Sequence, residues 1–105
     1  MLALLHVRLW MACIMGYSRR VDANQIAVVE ALRQIGASVT LLHRVGYGCP
    51  DLLVGLAGRN ILLEVKVPKG AVRATQEEWF KNWRGQAHVA RTPEEAIKIV
   101  LAHAK

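Results

Sequence analysis

The sequence is poor in cysteine: among 105 residues only Cys13 and Cys49 carry thiols. Two cysteines cannot build a disulfide-rich scaffold or a four-cysteine zinc site. Acidic residues are also few, eight against fourteen Lys and Arg, which leaves a formal net charge of +6. Such an excess on a small chain points to a polyanionic partner without saying which one. The sequence has no unbroken apolar run near the roughly 20 residues that a membrane-spanning helix needs. Its most apolar stretch, residues 1–15, is interrupted by His6 and Arg8. Charge inside that stretch is also wrong for a secretory leader, where basic residues come first. What is present is 53% hydrophobic and 21% charged. That composition excludes a disordered tail or a low-complexity linker. The length suits one domain with a single modest core.

Residues 1–20 do not resemble the rest of the chain. The expectation is an N-terminal extension on a domain spanning 21–105, in a cytoplasmic protein with no membrane contact. Either the extension packs on the domain as an extra element, or translation begins at Met15.

From Asp22 onward the punctuation is regular. Asp22 to Gln25 has the form of a capped helix start, with Ile26, Val29 and Leu32 at helical spacing and Gly36 as the stop. Ser38–Arg44 is β-branched and apolar, so it predicts a strand. Gly46-Tyr47-Gly48-Cys49-Pro50 breaks the chain. Asp51–Leu56 and Asn60–Val67 predict a hairpin about Ala57-Gly58. The second of these strands is apolar on both faces, which suits a central position. Thr75 to Glu78 predicts a second capped helix, whose stripe of Trp79, Phe80 and Trp83 is expected in the core. His88–Ala90 is a short strand, and Thr92-Pro93 opens a last helix running to about His103. The order αβββαβα predicts an α/β fold, a mixed four-stranded sheet flanked by helices.

One strand carries an anomaly. Glu64 and Lys66 lie two apart near the end of an apolar run, so both side chains share one face. Burying them unpaired would cost several kcal/mol, on the order found for buried ions. An ion pair between the two would remove that cost, and so would a metal or water at the strand end. Asp51 supplies a third charge. It lies seven residues before Gly58 and Glu64 lies six after it. Those near-equal distances set the two carboxylates side by side across the hairpin. They repel unless a cation sits between them, and hard cations such as Mg²⁺ take oxygen ligands.

Pro50-Asp51, then Glu64-Val65-Lys66 in this order of elements, resembles the PD-(D/E)XK nuclease superfamily. More narrowly, Gly48-Cys49-Pro50-Asp51-Leu52-Leu53-Val54, then Glu64-Val65-Lys66, then Gln76 in the next helix is similar to the virus-type replication-repair nuclease (VRR-NUC) branch, over about residues 22–100. The resemblance implies a restriction-endonuclease-like αβββαβ core. It implies Asp51, Glu64 and the backbone carbonyl of Val65 as ligands of Mg²⁺ or Mn²⁺. Lys66 would activate the attacking water, and Gln76 would join the site. An acidic residue of the first helix often completes such a site. Glu30 borders the apolar face and is the favoured candidate, with Asp22 the other. Small stand-alone members resemble Holliday-junction resolvases, which implies a homodimer acting on branched DNA. The alternative is a catalytically inactive nuclease fold that binds nucleic acid or another chain.

Arg44, Lys69 and Arg73 flank these residues in loops and are the expected DNA contacts. Setting Asp51 and Glu64 aside leaves six acids against the fourteen basic residues, so the remaining surface is more basic than the total. Cys49 lacks a nearby His or basic partner and is expected to be a buried structural thiol. His43, at the end of a strand, is expected to be a packed histidine.

Overall fold

The computed structural model describes residues 22–104; the N-terminal extension lies outside the described residues. The elements are α1 (Ala23–Gln34), β1 (Ser38–Leu41), β2 (Leu52–Leu56), β3 (Arg59–Val65), α2 (Ala74–Asn82), β4 (Ala87–Ala90) and α3 (Pro93–His103). Their order is the one the punctuation predicts.

The sheet runs β1-β2-β3-β4. The first two pairings are antiparallel and β3-β4 is parallel, so the sheet is mixed. Leu56 pairs with Arg59 across the two-residue turn Ala57-Gly58. Both turn residues have positive φ, 52° and 76°, as the hairpin turn that matches strand twist requires. The hairpin is tight, and its register is therefore fixed: Leu52 faces Leu63 and Val54 faces Ile61.

Alternation along the strands sorts the two faces. Val39, Leu52, Val54, Ile61, Leu63 and Val65 are buried on one face, against Val28, Val29 and Leu32 of α1 and Ala96 and Val100 of α3. Asp22 caps α1 through Oδ1, which accepts from the Gln25 N–H at 2.8 Å. Thr92 caps α3 in the same way, accepting from the Glu95 N–H at 3.1 Å. Asn24 ties α1 to the sheet, its amide donating to the carbonyls of Lys66 (2.8 Å) and Arg91 (3.1 Å).

The second helix departs from expectation twice. Its N-cap is Arg73 rather than Thr75, and the Gln76 side chain turns back to accept from the Arg73 N–H at 3.0 Å. None of its residues is buried. The aromatic stripe is therefore not core: Trp79 stacks on Trp83 with centroids 4.7 Å apart, and Trp83 stays 47% exposed. The physical reason is partition of the sheet. Both longer helices cover one face, and the short α2 leaves on the other an apolar groove that Trp83, at its C-cap, lines with Leu53 and Leu62.

Candidate functional site

Extending the β2-β3 register by one residue sets Asp51 opposite Glu64, as the hairpin arithmetic predicts. Both line a cleft of about 550 Å³ at the sheet end where β2 begins and β3 finishes. The first turn of α1 contributes Asp22 and Gln25, the glycine turn contributes Tyr47 to Cys49, and Arg73, Thr75 and Gln76 close the far wall.

The carboxylates are held differently. Asp51 Oδ2 accepts from the Val65 N–H at 2.9 Å, a bond that links the two strands beyond their ladder. Its carboxyl is nevertheless raised above the usual range, because burial outweighs that bond and the Lys66 charge. Glu64 is 2% exposed. Its Oε2 accepts from Gln76 Nε2 at 2.8 Å and lies 3.4 Å from Lys66 Nζ. Its Oε1 is buried with no partner among the described residues. Burial, then the Asp51 carboxylate, pushes its carboxyl up to about 7. Glu64 and Lys66 thus do form the ion pair that their spacing allows, and Gln76 joins them from the helix.

Glu30 does not reach this cleft. It is exposed on α1, nearly two turns beyond the helix start that lines the cavity. Asp22 and Gln25 occupy that place. Of the expected DNA contacts, Arg73 lines the cleft, while Lys69 and Arg44 are exposed in the turns on either side. Cys49 is not the buried structural thiol expected of it but a half-buried free thiol lining the cleft. Burial first, then Glu64 and Asp51, push its pKa up, which keeps it protonated and unreactive. Among the described residues no group of three or more His, Cys, Asp and Glu is arranged to hold a metal.

Three features escape a reading of the sequence. His43 lines the cleft with both ring nitrogens buried and unpartnered. Gln25, 5% exposed, has its Nε2 buried and unpartnered there too. Its place in a capping pattern was the available signal, but that pattern explains the backbone bond and not the buried amide. Arg91 pins the turn after β3, donating from Nη1 to the carbonyls of Val67 (3.1 Å) and Gly70 (2.6 Å). A buried polar atom left unpaired costs about 1–3 kcal/mol. Every such side-chain atom among the described residues belongs to Gln25, His43 or Glu64, and all three line this one cleft. The unmet polar atoms are thus concentrated in one cavity, where water or a ligand would satisfy them.

No family model matches the chain, and no curated protein or solved structure is significantly similar to it. Among the described residues no helix is long and apolar enough to cross a membrane.

Proposed function

We propose that the chain is a metal-dependent DNA endonuclease that hydrolyses phosphodiester bonds, and that the cleft is its active site. The observation that carries this reading is Asp51 beside Glu64 in one cleft, with Lys66 on Glu64 Oε2 and Glu64 Oε1 left unpaired. Two adjacent, partly desolvated carboxylates with a spare oxygen are a donor set for a hard divalent cation, which needs only one or two carboxylates beside water and phosphate. Asp51 and Glu64 would hold Mg²⁺ or Mn²⁺, with the Val65 carbonyl as a further oxygen. When bound, that ion supplies charge neutralisation at the phosphate and at the leaving oxygen.

The chain's own residues do the rest. Gln76 clamps Glu64 through Oε2 and leaves Oε1 without a protein partner. Lys66 donates to the attacking water and places a positive charge beside the phosphate as it becomes pentavalent. Arg73 on the cleft wall and Lys69 and Arg44 in the flanking turns take neighbouring phosphates. The αβββαβ portion of the fold then serves as a restriction-endonuclease-like core of the VRR-NUC kind in a cytoplasmic enzyme. A two-fold dimer would set two such clefts on a branched duplex.

The test is incubation of labelled four-way, flap and linear DNA with the protein and Mg²⁺ or Mn²⁺. Cleavage is expected, and EDTA or Asp51→Ala is expected to abolish it. A wild-type chain that cuts none of these with either metal rejects the proposal. Binding without cutting would instead establish the inactive nuclease fold.

A further inference from the structure

The four unpartnered atoms in the cleft differ in what they can accept or give. Glu64 Oε1 is an acceptor and suits a cation. Gln25 Nε2 can only donate, so it suits an oxygen. The Gln25 side chain is also placed with little freedom. Asp22 holds its backbone N–H at 2.8 Å, and the adjacent Asn24 is bonded to the ends of β3 and β4 at 2.8 and 3.1 Å. The first turn of α1 is thereby fixed against the sheet, and the 5% exposed Gln25 that lines the cavity has its amide nitrogen buried without a partner.

A glutamine kept for folding would have its amide satisfied, and an apolar side chain of the same size would fill the position without an orphan donor. We infer that Gln25 is a phosphate-positioning residue, its Nε2 donating to a non-bridging oxygen of the nucleic-acid backbone held in the cleft opposite Asp51 and Glu64. The inference rests on the reading of this cleft as a phosphodiester hydrolase site. His43, another lining residue, offers a ring N–H of the same kind, so the cleft holds neutral donors beside its carboxylates. An oxyanion held from one side by neutral donors and from the other by a cation is restrained without adding net charge to the protein.

The experiment compares the wild-type chain with Gln25→Leu, Gln25→Met and Gln25→Glu in three measurements: thermal melting, binding of labelled four-way and linear DNA in EDTA, and cleavage with Mg²⁺. Leucine and methionine remove the donor and keep the volume. Both are expected to melt at or above the wild-type temperature, because an unsatisfied buried amide is replaced by an apolar group. Both are expected to bind DNA about threefold to tenfold more weakly in EDTA and to cleave at least about tenfold more slowly. Gln25→Glu sets a negative charge against the phosphate and is expected to bind DNA more weakly than either. Lower melting of both neutral variants, with wild-type DNA binding, assigns Gln25 to folding and overturns the inference. Wild-type cleavage by Gln25→Glu also overturns it, since that result makes the side chain an oxygen ligand for the cation. If the wild-type chain binds DNA and does not cut it, hydrolysis fails while the EDTA binding still decides Gln25. If it binds no DNA, both fall.

Discussion

Glu64 has a carboxyl pushed up to about 7 from an ordinary value of 4.5. Between those values the folded chain holds a proton that the unfolded chain has released. Stability from this group is therefore full below about pH 4.5 and is lost as pH rises through about 7. Asp51 is raised as well and adds with the same sign. In EDTA the protein is expected to be less stable at pH 8 than at pH 5, by on the order of 2–3 kcal/mol from Glu64. Glu64→Gln is neutral at both values and is expected to flatten that dependence. Denaturant titrations at the two pH values measure it, and parallel curves for wild type and variant would refute the assignment. Mg²⁺ should raise the melting temperature at pH 8 far more than at pH 5, where the Glu64 carboxyl holds a proton. At this scale the sequence was legible wherever hairpin counting applied: Asp51, Glu64 and Lys66 are where that arithmetic sets them. Glu30 was not, because periodicity tells how close a residue lies to the apolar stripe and not which turn of the helix meets the cleft. Gln25 and His43 were illegible for a related reason, since the meaning of a buried polar group depends on partners from other elements.

The glycine turn between β1 and β2 shapes the mouth of the cleft. Gly46, Tyr47 and Gly48 have φ of 76°, 56° and 79°, a run of left-handed backbone that leaves Tyr47 95% exposed at the lip. The two glycines are not equivalent. A Cβ at Gly46 would meet nothing within 4 Å, whereas one at Gly48 would collide with the backbone carbonyl of Thr75 in α2. Gly46→Ala should cost only the left-handed penalty, about 1–2 kcal/mol. Gly48→Ala should cost more, and it should also slow cleavage by moving the start of α2, which carries Gln76. Melting temperatures and cleavage rates of the pair check this, and equal losses would show that the close approach does not matter. Asn24→Ala removes two bonds that hold α1 to the ends of β3 and β4, and is expected to lower stability by about 1–3 kcal/mol. Most helix starts and strands were readable because caps, glycines and alternation act locally. The start of α2 was misread because Thr75 is a good cap by residue type, while Gln76 is bound both to the Arg73 N–H and to Glu64. The Trp79–Trp83 stripe was misread as core because amphipathic spacing reveals a face and cannot reveal how much sheet remains to cover it.

Charge is the property that belongs to the whole molecule. A net +6 with three of eight acids, Asp22, Asp51 and Glu64, gathered in one cleft makes a basic surface around a locally negative cavity. DNA binding in EDTA should then be strongly weakened by salt, because each phosphate contact releases counterions. The cleft itself should oppose that binding while no cation screens it. Asp51→Ala removes one of the repelling carboxylates, so in EDTA it is expected to bind DNA more tightly than wild type, although it is expected not to cut with Mg²⁺. Added Mg²⁺ should tighten the wild-type chain and change the variant much less. Arg73→Ala and Lys69→Ala should each weaken binding and reduce the slope of log affinity against log salt by about one contact's worth. Fluorescence anisotropy across a salt series, with and without Mg²⁺, reads all of these together. If Asp51→Ala and wild type bind alike in EDTA, the DNA does not enter the cleft, and the basic surface alone accounts for the attraction. If Asp51→Ala binds more tightly and Arg73→Ala flattens the salt slope, the phosphate path runs along the wall on which Arg73 sits and past the carboxylate pair.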